Sequence, residues 1–489
     1  MRDRVIGIEN EFASMLQFPP GSPGAEYEKD VNGYHLLAAF KRHEVTPIIG
    51  FPEARAGNAV GGRVWLPNGG VMYIETSGCH LEYATPECRT VRDVVRFNKA
   101  GERLADLLFG SPREEGLPGI VFVKNNVAPE EDGAGNRITY GCHENYLVHG
   151  IEAGGDAQGE WKKRLAPLII FLVTRQIFDG AGFWKNPESD HYVFSQRSLF
   201  MEHEESSGTT SQRGILNTRR EHYTAAGARQ YRLHLIVGDA NMLEAALFLK
   251  IGTTALVLAM IEDNAIPGHL REPHDSLGAM REMVLRGNVL NDACVFFKDA
   301  PGISPLETQF RFCEAARKYL AETNFESDRS EDEAYAVLRL WQETLDALHR
   351  NDTEWLLGRI DHVTKRHFVE TRLRMLKNRG ERFSPARIRR DTDIAFHRIG
   401  ANTIERRCLE RWKEKRIVPD EEIRQALLSP PADTRAHIRG SVVQREMLFK
   451  NLLVGANWDY LMFKKNQEKK GIPDPFESNP AWLRQMIGW

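Results

Sequence analysis

Hydrophobic and polar residues alternate at period two in several short stretches of the first half of the chain. Residues 4–12, 63–66 and 71–76 read as strands whose successive side chains face opposite sides of a sheet. Pro67-Asn68-Gly69-Gly70 separates the last two, and its Asn-Gly step predicts a hairpin that pairs them antiparallel. Residues 119–127, 138–148 and 231–239 read as further strands, while the apolar spacing becomes helical over 91–109, 161–178 and 242–261. The last of these is the most apolar run. Its part over 245–261 carries Lys250 and Gly252 and is too short and interrupted for a membrane span, so it reads as a buried core helix. From about residue 304 to 416 the chain is charged and helix-periodic, with Trp341, Leu345 and Leu348 on one face. Pro419 opens a new segment, and Ser429-Pro430-Pro431 precedes a mixed tail that predicts a small C-terminal module. Strands grouped early and interleaved with long helices predict an α+β fold, an antiparallel sheet flanked by helices. Two Gly- and Pro-rich stretches, 18–24 and 47–62, read as loops between the first strand and the hairpin.

Composition narrows the function classes. The 489 residues are 42% hydrophobic and 27% charged, enough for a large core. A net charge of −3 lacks the cationic footprint of a nucleic-acid binder. The first residues contain no apolar run of signal-peptide length, because Glu9 and Glu11 interrupt the only stretch available. Six cysteines without a Cys-x-x-Cys pair indicate neither a zinc site nor a disulfide framework, and a reducing cytoplasm fits that usage.

Candidate chemistry gathers on the predicted strands. Glu9 and Glu11 are two apart and share a face, Tyr73 and Glu75 repeat the spacing on the hairpin, and Glu82 follows on the next strand. Like charges on one face repel unless the face is wet or a cation lies between them, as where Mg²⁺ is held beside phosphates. A solvated outer face is the alternative reading of the same spacing. Lys124-Asn125-Asn126, Glu144 and Asn145 add polar groups on neighbouring strands, and Arg197, Arg213, Arg219 and Arg232 supply forks suited to phosphate oxygens. Neither a P-loop nor a protein-kinase signature is present in the sequence.

Gly7-Ile-Glu-Asn-Glu-Phe12, Asn68-Gly-Gly-Val-Met-Tyr-Ile-Glu75, His80-Leu-Glu-Tyr-Ala-Thr-Pro-Glu-Cys88, Lys124-Asn-Asn126 and Gly141-Cys-His-Glu-Asn-Tyr-Leu147 occur in the order of the Pup ligase and depupylase family. So do Phe194-Ser-Gln-Arg197, Asn217-Thr-Arg219, Tyr231-Arg-Leu-His-Leu-Ile-Val-Gly-Asp-Ala-Asn241 and Thr434-Arg-Ala-His-Ile-Arg-Gly440, so that the chain resembles this family over nearly its whole length. The resemblance implies a glutamine-synthetase-like catalytic domain over residues 1–417 and a small C-terminal domain over 418–489. It implies ATP and Mg²⁺ as cofactors, with metal ligands at Glu9, Tyr73 and Glu82, nucleotide contacts at Thr85 and Trp458, and a catalytic carboxylate at Glu75. Glu11 and His234 are further candidates for a second metal. The implied activity is ATP-dependent attachment of a Pup-like modifier, through its C-terminal glutamate, to lysines of target proteins destined for the proteasome. Cleavage of that bond by a depupylase, or a nucleotide-binding regulator without catalysis, are the alternatives. Three departures stand out: Glu75 replaces the family's Asp, Val71 replaces a nucleotide-contacting Arg, and Arg220-Glu-His-Tyr223 follows Asn217-Thr-Arg219 where the family has Asp-Glu-Pro-His.

Overall fold

The computed structural model describes residues 3–17, 63–74, 80–109, 119–131, 137–154, 159–225, 229–270, 275–286, 302–325, 327–400, 403–449 and 452–487. Among the described residues nine strands form one sheet: β1 (Ile6–Gln17), β2 (Arg63–Trp65), β3 (Val71–Ile74), β4 (Leu81–Ala84), β5 (Gly119–Val123), β6 (Cys142–His149), β7 (His203–Ser206), β8 (Gly214–Asn217) and β9 (Gln230–Leu235). Their order is β7-β8-β9-β6-β1-β4-β3-β2, with β5 joining the second half of β1. Every pairing is antiparallel except β7 with β8. The α+β expectation therefore holds, with one parallel pair at an edge.

The hairpin forms where Asn-Gly predicts it. Gly69 adopts a φ of 81°, and the Asn68 side chain accepts a hydrogen bond from the Gly70 amide at 3.0 Å. A Cβ on Gly69 would lie 2.6 Å from the Ala436 carbonyl, so this turn also seats the C-terminal helix Ala436–Phe449.

Helix Val91–Phe109 spans its expected residues, and helix Glu244–Glu262 is buried along its whole length, as its apolar run requires. The predicted helix over 161–178 is two, Glu160–Thr174 and Gln176–Asp179. Ser304, with Pro305 at the first turn, and Ser327 cap the helices Pro305–Glu322 and Asp328–Arg350 by accepting from Glu307 and Ser330 amides. Trp341, Leu345 and Leu348 all point into the core, where the Trp341 ring packs 5.8 Å from Phe171 and donates to Gln309 at 3.2 Å. Replacing Trp341 with alanine empties that site and strands the Gln309 oxygen. We expect a loss of about 3–5 kcal/mol in urea unfolding, with ADP affinity of the folded protein unchanged.

The C-terminal strands Leu453–Ala456, Tyr460–Phe463 and Lys469–Gly471 form a separate three-stranded sheet. Its apolar residues Leu461 and Phe463, with Ile472 just beyond its last strand, pack with Ile438, Val442 and Leu483, and the same cluster takes in Trp65, Val71 and Ala84 of the large sheet. Val418 and Ile423 belong to the main core. The tail is thus fastened to the hairpin, which brings Trp458 to the sheet.

Candidate active site

Register places the polar residues in rows across one face of the large sheet. Arg63 faces Tyr73, Tyr73 faces Glu82, and Glu82 faces Glu11. A second row runs from Val71 through Ala84 and Glu9 to His143, and a third from Gly7 through Asn145 and His234 to Asn217. Period two along each strand puts Glu9 beside Glu11 and His143 beside Asn145.

Glu9 is held at both oxygens, by His143 Nδ1 at 3.3 Å and by Asn145 Nδ2 at 3.0 Å, with Arg232 at 4.0 Å. Burial alone would raise its pKa, but the His143 contact and the Arg232 charge carry it well below the ordinary carboxylate range. Glu11 accepts from the Gly141 amide at 2.8 Å. Burial opposes its ionisation as well, yet His80, His143, Arg197 and that amide together lower it to about 2. A Cβ at Gly141 would lie 2.4 Å from the His143 ring and 2.8 Å from Glu11, so a larger residue there would displace these two side chains. Burial and the neighbouring Glu82 and Glu9 charges push the Tyr73 phenol well above its usual value, and it hydrogen-bonds Glu82 as a neutral group. Glu82 itself is 3% exposed.

These residues fit a divalent cation. Glu9, Glu11, Tyr73 and Glu82 offer hard oxygens on a half-enclosed face, as Mg²⁺ requires. Glu9, His143 and His234 also bring one ligand atom each within 4.8 Å of one another. Nε2 of His143 and both ring nitrogens of His234 are buried without a hydrogen-bond partner, and burial with the nearby Arg232 charge keeps the His234 imidazole neutral.

An open cleft of about 600 Å³ adjoins this face, lined by Glu9, Thr85, Asn145, Arg232, Arg435 and Trp458 among others. Thr85 Oγ1 accepts from the Ile8 amide at 3.1 Å, fixing the bend where β4 leaves the sheet. Trp458 comes from the turn between two C-terminal strands, its ring 5.1 Å from Trp65 and nearly perpendicular to it. Of the six residues expected from sequence, Glu9, Thr85 and Trp458 line this cleft, and Tyr73 and Glu82 lie in the neighbouring row of the same sheet face. Glu75 lies outside the described residues, as do the loops of 18–24 and 47–62.

A family model for the Pup-ligase protein matches residues 4–462. The chain belongs to the Pup-ligase protein family. A Pup–protein ligase of Acidimicrobium ferrooxidans is 35% identical over 439 residues, which cover 87% of this chain and 89% of that protein. A Pup–protein ligase of Kineococcus radiotolerans is 35% identical across 100% of this chain and 99% of its own. The ligase PafA, solved in complex with the prokaryotic ubiquitin-like protein Pup, is similar in structure. Its TM-score is 0.78 at 27% identity, covering 99% of this chain and 92% of that one. PafA in complex with ADP matches with a TM-score of 0.73 at 27% identity, covering 96% of each chain.

Within this member of the family, several polar residues take roles that spacing did not reveal. His143 stands on the face as a Glu9 partner, although the alternation that exposes Asn145 exposes it equally. Glu144 points the opposite way, into a buried network where the Arg175 guanidinium holds both its oxygens and Tyr146 donates at 2.7 Å. The arginines disperse. Arg232 reaches the cleft, Arg197 is buried near Glu11, Arg213 is paired with Glu202 at 3.4 Å, and Arg219 with Glu221 at 2.8 Å. Val71 is 1% exposed and packed with Trp65 and Ile438, whereas Arg63 is exposed with its guanidinium 5.4 Å from the Tyr73 ring centre.

Proposed function

We propose that this protein joins the C-terminal glutamate of a Pup-like modifier to lysine side chains of target proteins, using ATP and Mg²⁺. The observation that carries the reading is that Glu9, Thr85 and Trp458 line one cleft while Tyr73 and Glu82 share the adjoining sheet face with Glu9 and Glu11, in a chain of the Pup-ligase protein family. Both ligase relatives align along nearly their full length, which favours ligation over cleavage. A cytoplasmic location accords with the free thiols of Cys88, Cys142, Cys313 and Cys408.

We assign Glu9, Tyr73 and Glu82 to Mg²⁺ and Thr85 and Trp458 to the nucleotide. Mg²⁺, when bound, supplies neutralisation of the phosphate charge. Asn145 and His143 orient Glu9 through their hydrogen bonds, and Glu82 orients the Tyr73 phenol. Arg232, donating to Asn145 at 2.6 Å, stands at the cleft wall for phosphate oxygens. The modifier's carboxylate attacks the γ-phosphorus of ATP, ADP leaves, and an acyl phosphate results. A lysine ammonium is no nucleophile, so Glu75, our candidate base, takes its proton. The amine then attacks the acyl carbon and phosphate departs, leaving the isopeptide bond.

The decisive experiment mixes the protein with ATP, Mg²⁺, a modifier ending in glutamate and a lysine-bearing protein, and follows intact masses. An isopeptide-linked product with stoichiometric ADP supports the proposal. Cleavage without conjugation would identify a depupylase instead, and nucleotide binding with neither reaction a regulator.

We also assign Arg63 to the phosphate contact that Val71 cannot make. Arg63→Ala should raise KM for ATP about tenfold, the worth of one charged hydrogen bond, with kcat within about threefold. Unchanged KM in steady-state assays would remove Arg63 from the site.

A further inference from the structure

The segment that follows β4 carries Glu87, whose carboxylate is buried between the sheet and the C-terminal module. Arg435 Nε donates to it at 2.8 Å, and Arg439 reaches both its oxygens, Oε1 at 3.1 Å and Oε2 more closely. Burying a carboxylate is costly unless each oxygen is answered, and here two guanidinium groups answer them. Thr434 adds a hydrogen bond to the Glu87 carbonyl at 2.8 Å.

Arg439 does more than neutralise this charge. Its Nη1 donates to the Trp458 carbonyl at 3.0 Å and its Nη2 to the Gly69 carbonyl at 3.1 Å. Its guanidinium carbon lies 4.9 Å from the Trp458 ring centre and 5.1 Å from that of Trp65. One planar group thus grips both the backbone and the ring of Trp458 while anchored to the hairpin turn and to Glu87. Arg435 completes the arrangement by donating to the carbonyls of Ile472 at 3.2 Å, Pro473 at 3.3 Å and Tyr223.

The apolar cluster of Trp65, Ile438, Val442, Phe463 and Leu483 already fastens the module to the sheet. The ionic contacts therefore act at a narrower point, the tight turn that carries Trp458, closed by Asn457 N to Tyr460 O at 2.8 Å. A ring on a turn that is free to move must be ordered when a ligand binds, and the entropy lost weakens affinity. A lysine could keep the charge at position 439, but its single ammonium, with three donors, could not reach both Glu87 oxygens and the Trp458 and Gly69 carbonyls together.

We propose that Glu87, Arg435 and Arg439 form a clasp that positions Trp458 over the nucleotide cleft, with Arg439 the residue that sets the ring. The inference rests on the assignment of Trp458 to the nucleotide. The clasp serves binding and not the chemical step, so its loss moves KM for ATP and leaves turnover at saturation nearly intact.

The test is a double-mutant cycle on the full chain, titrating ADP by calorimetry and measuring ATP kinetics, with thermal melting as the control for folding. Trp458→Ala and Arg439→Lys should each weaken ADP binding and raise KM for ATP about tenfold, with kcat within about threefold. The double variant should bind no more weakly than Trp458→Ala alone, because Arg439 acts through that ring. Glu87→Gln, which keeps the shape and removes the charge, should weaken ADP binding in the same direction and supplies the answer if Arg439→Lys does not fold. Unchanged ADP affinity in Arg439→Lys and Glu87→Gln overturns the clasp, and so do fully additive losses in the cycle. Unchanged affinity in Trp458→Ala overturns the assignment of Trp458 and the clasp together. ADP titration needs no conjugation, so a wild-type protein that binds ADP but forms no isopeptide would count against the proposed ligase activity alone.

Discussion

Replacing Glu9 with alanine is expected to reduce Mg²⁺-dependent ATP turnover by on the order of 10³-fold, the scale of a lost metal ligand beside transferring phosphate. Glu9 lies where the second row of the sheet meets the cleft, and no other carboxylate shares its contacts with both His143 and Asn145 among the described residues. The substitution opens no apolar cavity, because Glu9 faces the cleft while Ile8 and Phe12 fill the core behind it. Removing a charged, hydrogen-bonded group still costs stability, about 1.5–3 kcal/mol at pH 7. The pH dependence gives a second signature. Glu9 is depressed in the folded state, so its stabilisation is present above the unfolded value near ~4.3 and is lost as pH falls through the folded value. The Glu9→Ala protein should accordingly lose less stability between neutral and acid pH than the wild type in parallel urea titrations. Wild-type turnover in this variant would remove Glu9 from the metal site.

The geometry of this site was legible in proportion to how local its causes are. Period-two spacing alone puts Glu9 with Glu11, and the Asn68-Gly69 step alone brings Tyr73 onto a hairpin. The meeting of Tyr73 with Glu82 and of Glu82 with Glu11 depends on register between β3, β4 and β1, which the alternation of one strand does not specify. His143 shows the limit. A histidine two residues from an asparagine carries no weight until Glu9 is known to lie opposite it, a pairing across 134 residues of chain. Glu144 was misleading for a related reason. Its neighbours made it look like part of the polar face, but strict alternation with His143 and Asn145 turns it to the core, where a distant Arg175 makes its burial tolerable.

Element boundaries failed where one strand changes partners. The run expected over residues 4–12 continues to Gln17, because β1 pairs with β4 over Glu9–Phe12 and then with β5 over Ala13–Gln17. The run expected over 138–148 divides into Arg137–Thr139, paired with Val127–Glu131, and β6. Gly141 lies at that division and turns its amide to Glu11. The chain there gives up a continuous strand and gains a donor at the site.

The expected result for Glu75→Gln is a fall in conjugation rate on the order of 10²-fold or more, with ADP affinity nearly unchanged. Glu75 is two residues beyond Tyr73, so strand alternation assigns it to the face that carries Tyr73, Glu82 and Glu11. The described part of β3 ends at Ile74, whose side chain packs with Phe12 and Leu81 in the core, as the opposite phase of that alternation requires. Glutamine preserves size and hydrogen bonding but cannot take a proton from the target lysine. If the base role is right, the loss appears in single-turnover conjugation from preformed acyl phosphate, while ADP release during activation of the modifier stays near wild type. Raising the pH should recover part of the rate, because more lysine is then already deprotonated as pH approaches ~10.4. Glu75→Asp separates position from chemistry. It restores the carboxylate that the family usually carries here but withdraws it by one methylene, so a chain whose backbone is set for glutamate should lose activity in this variant too. Conjugation by Glu75→Gln at the wild-type rate and with the wild-type pH profile would assign the proton transfer to another group on this face.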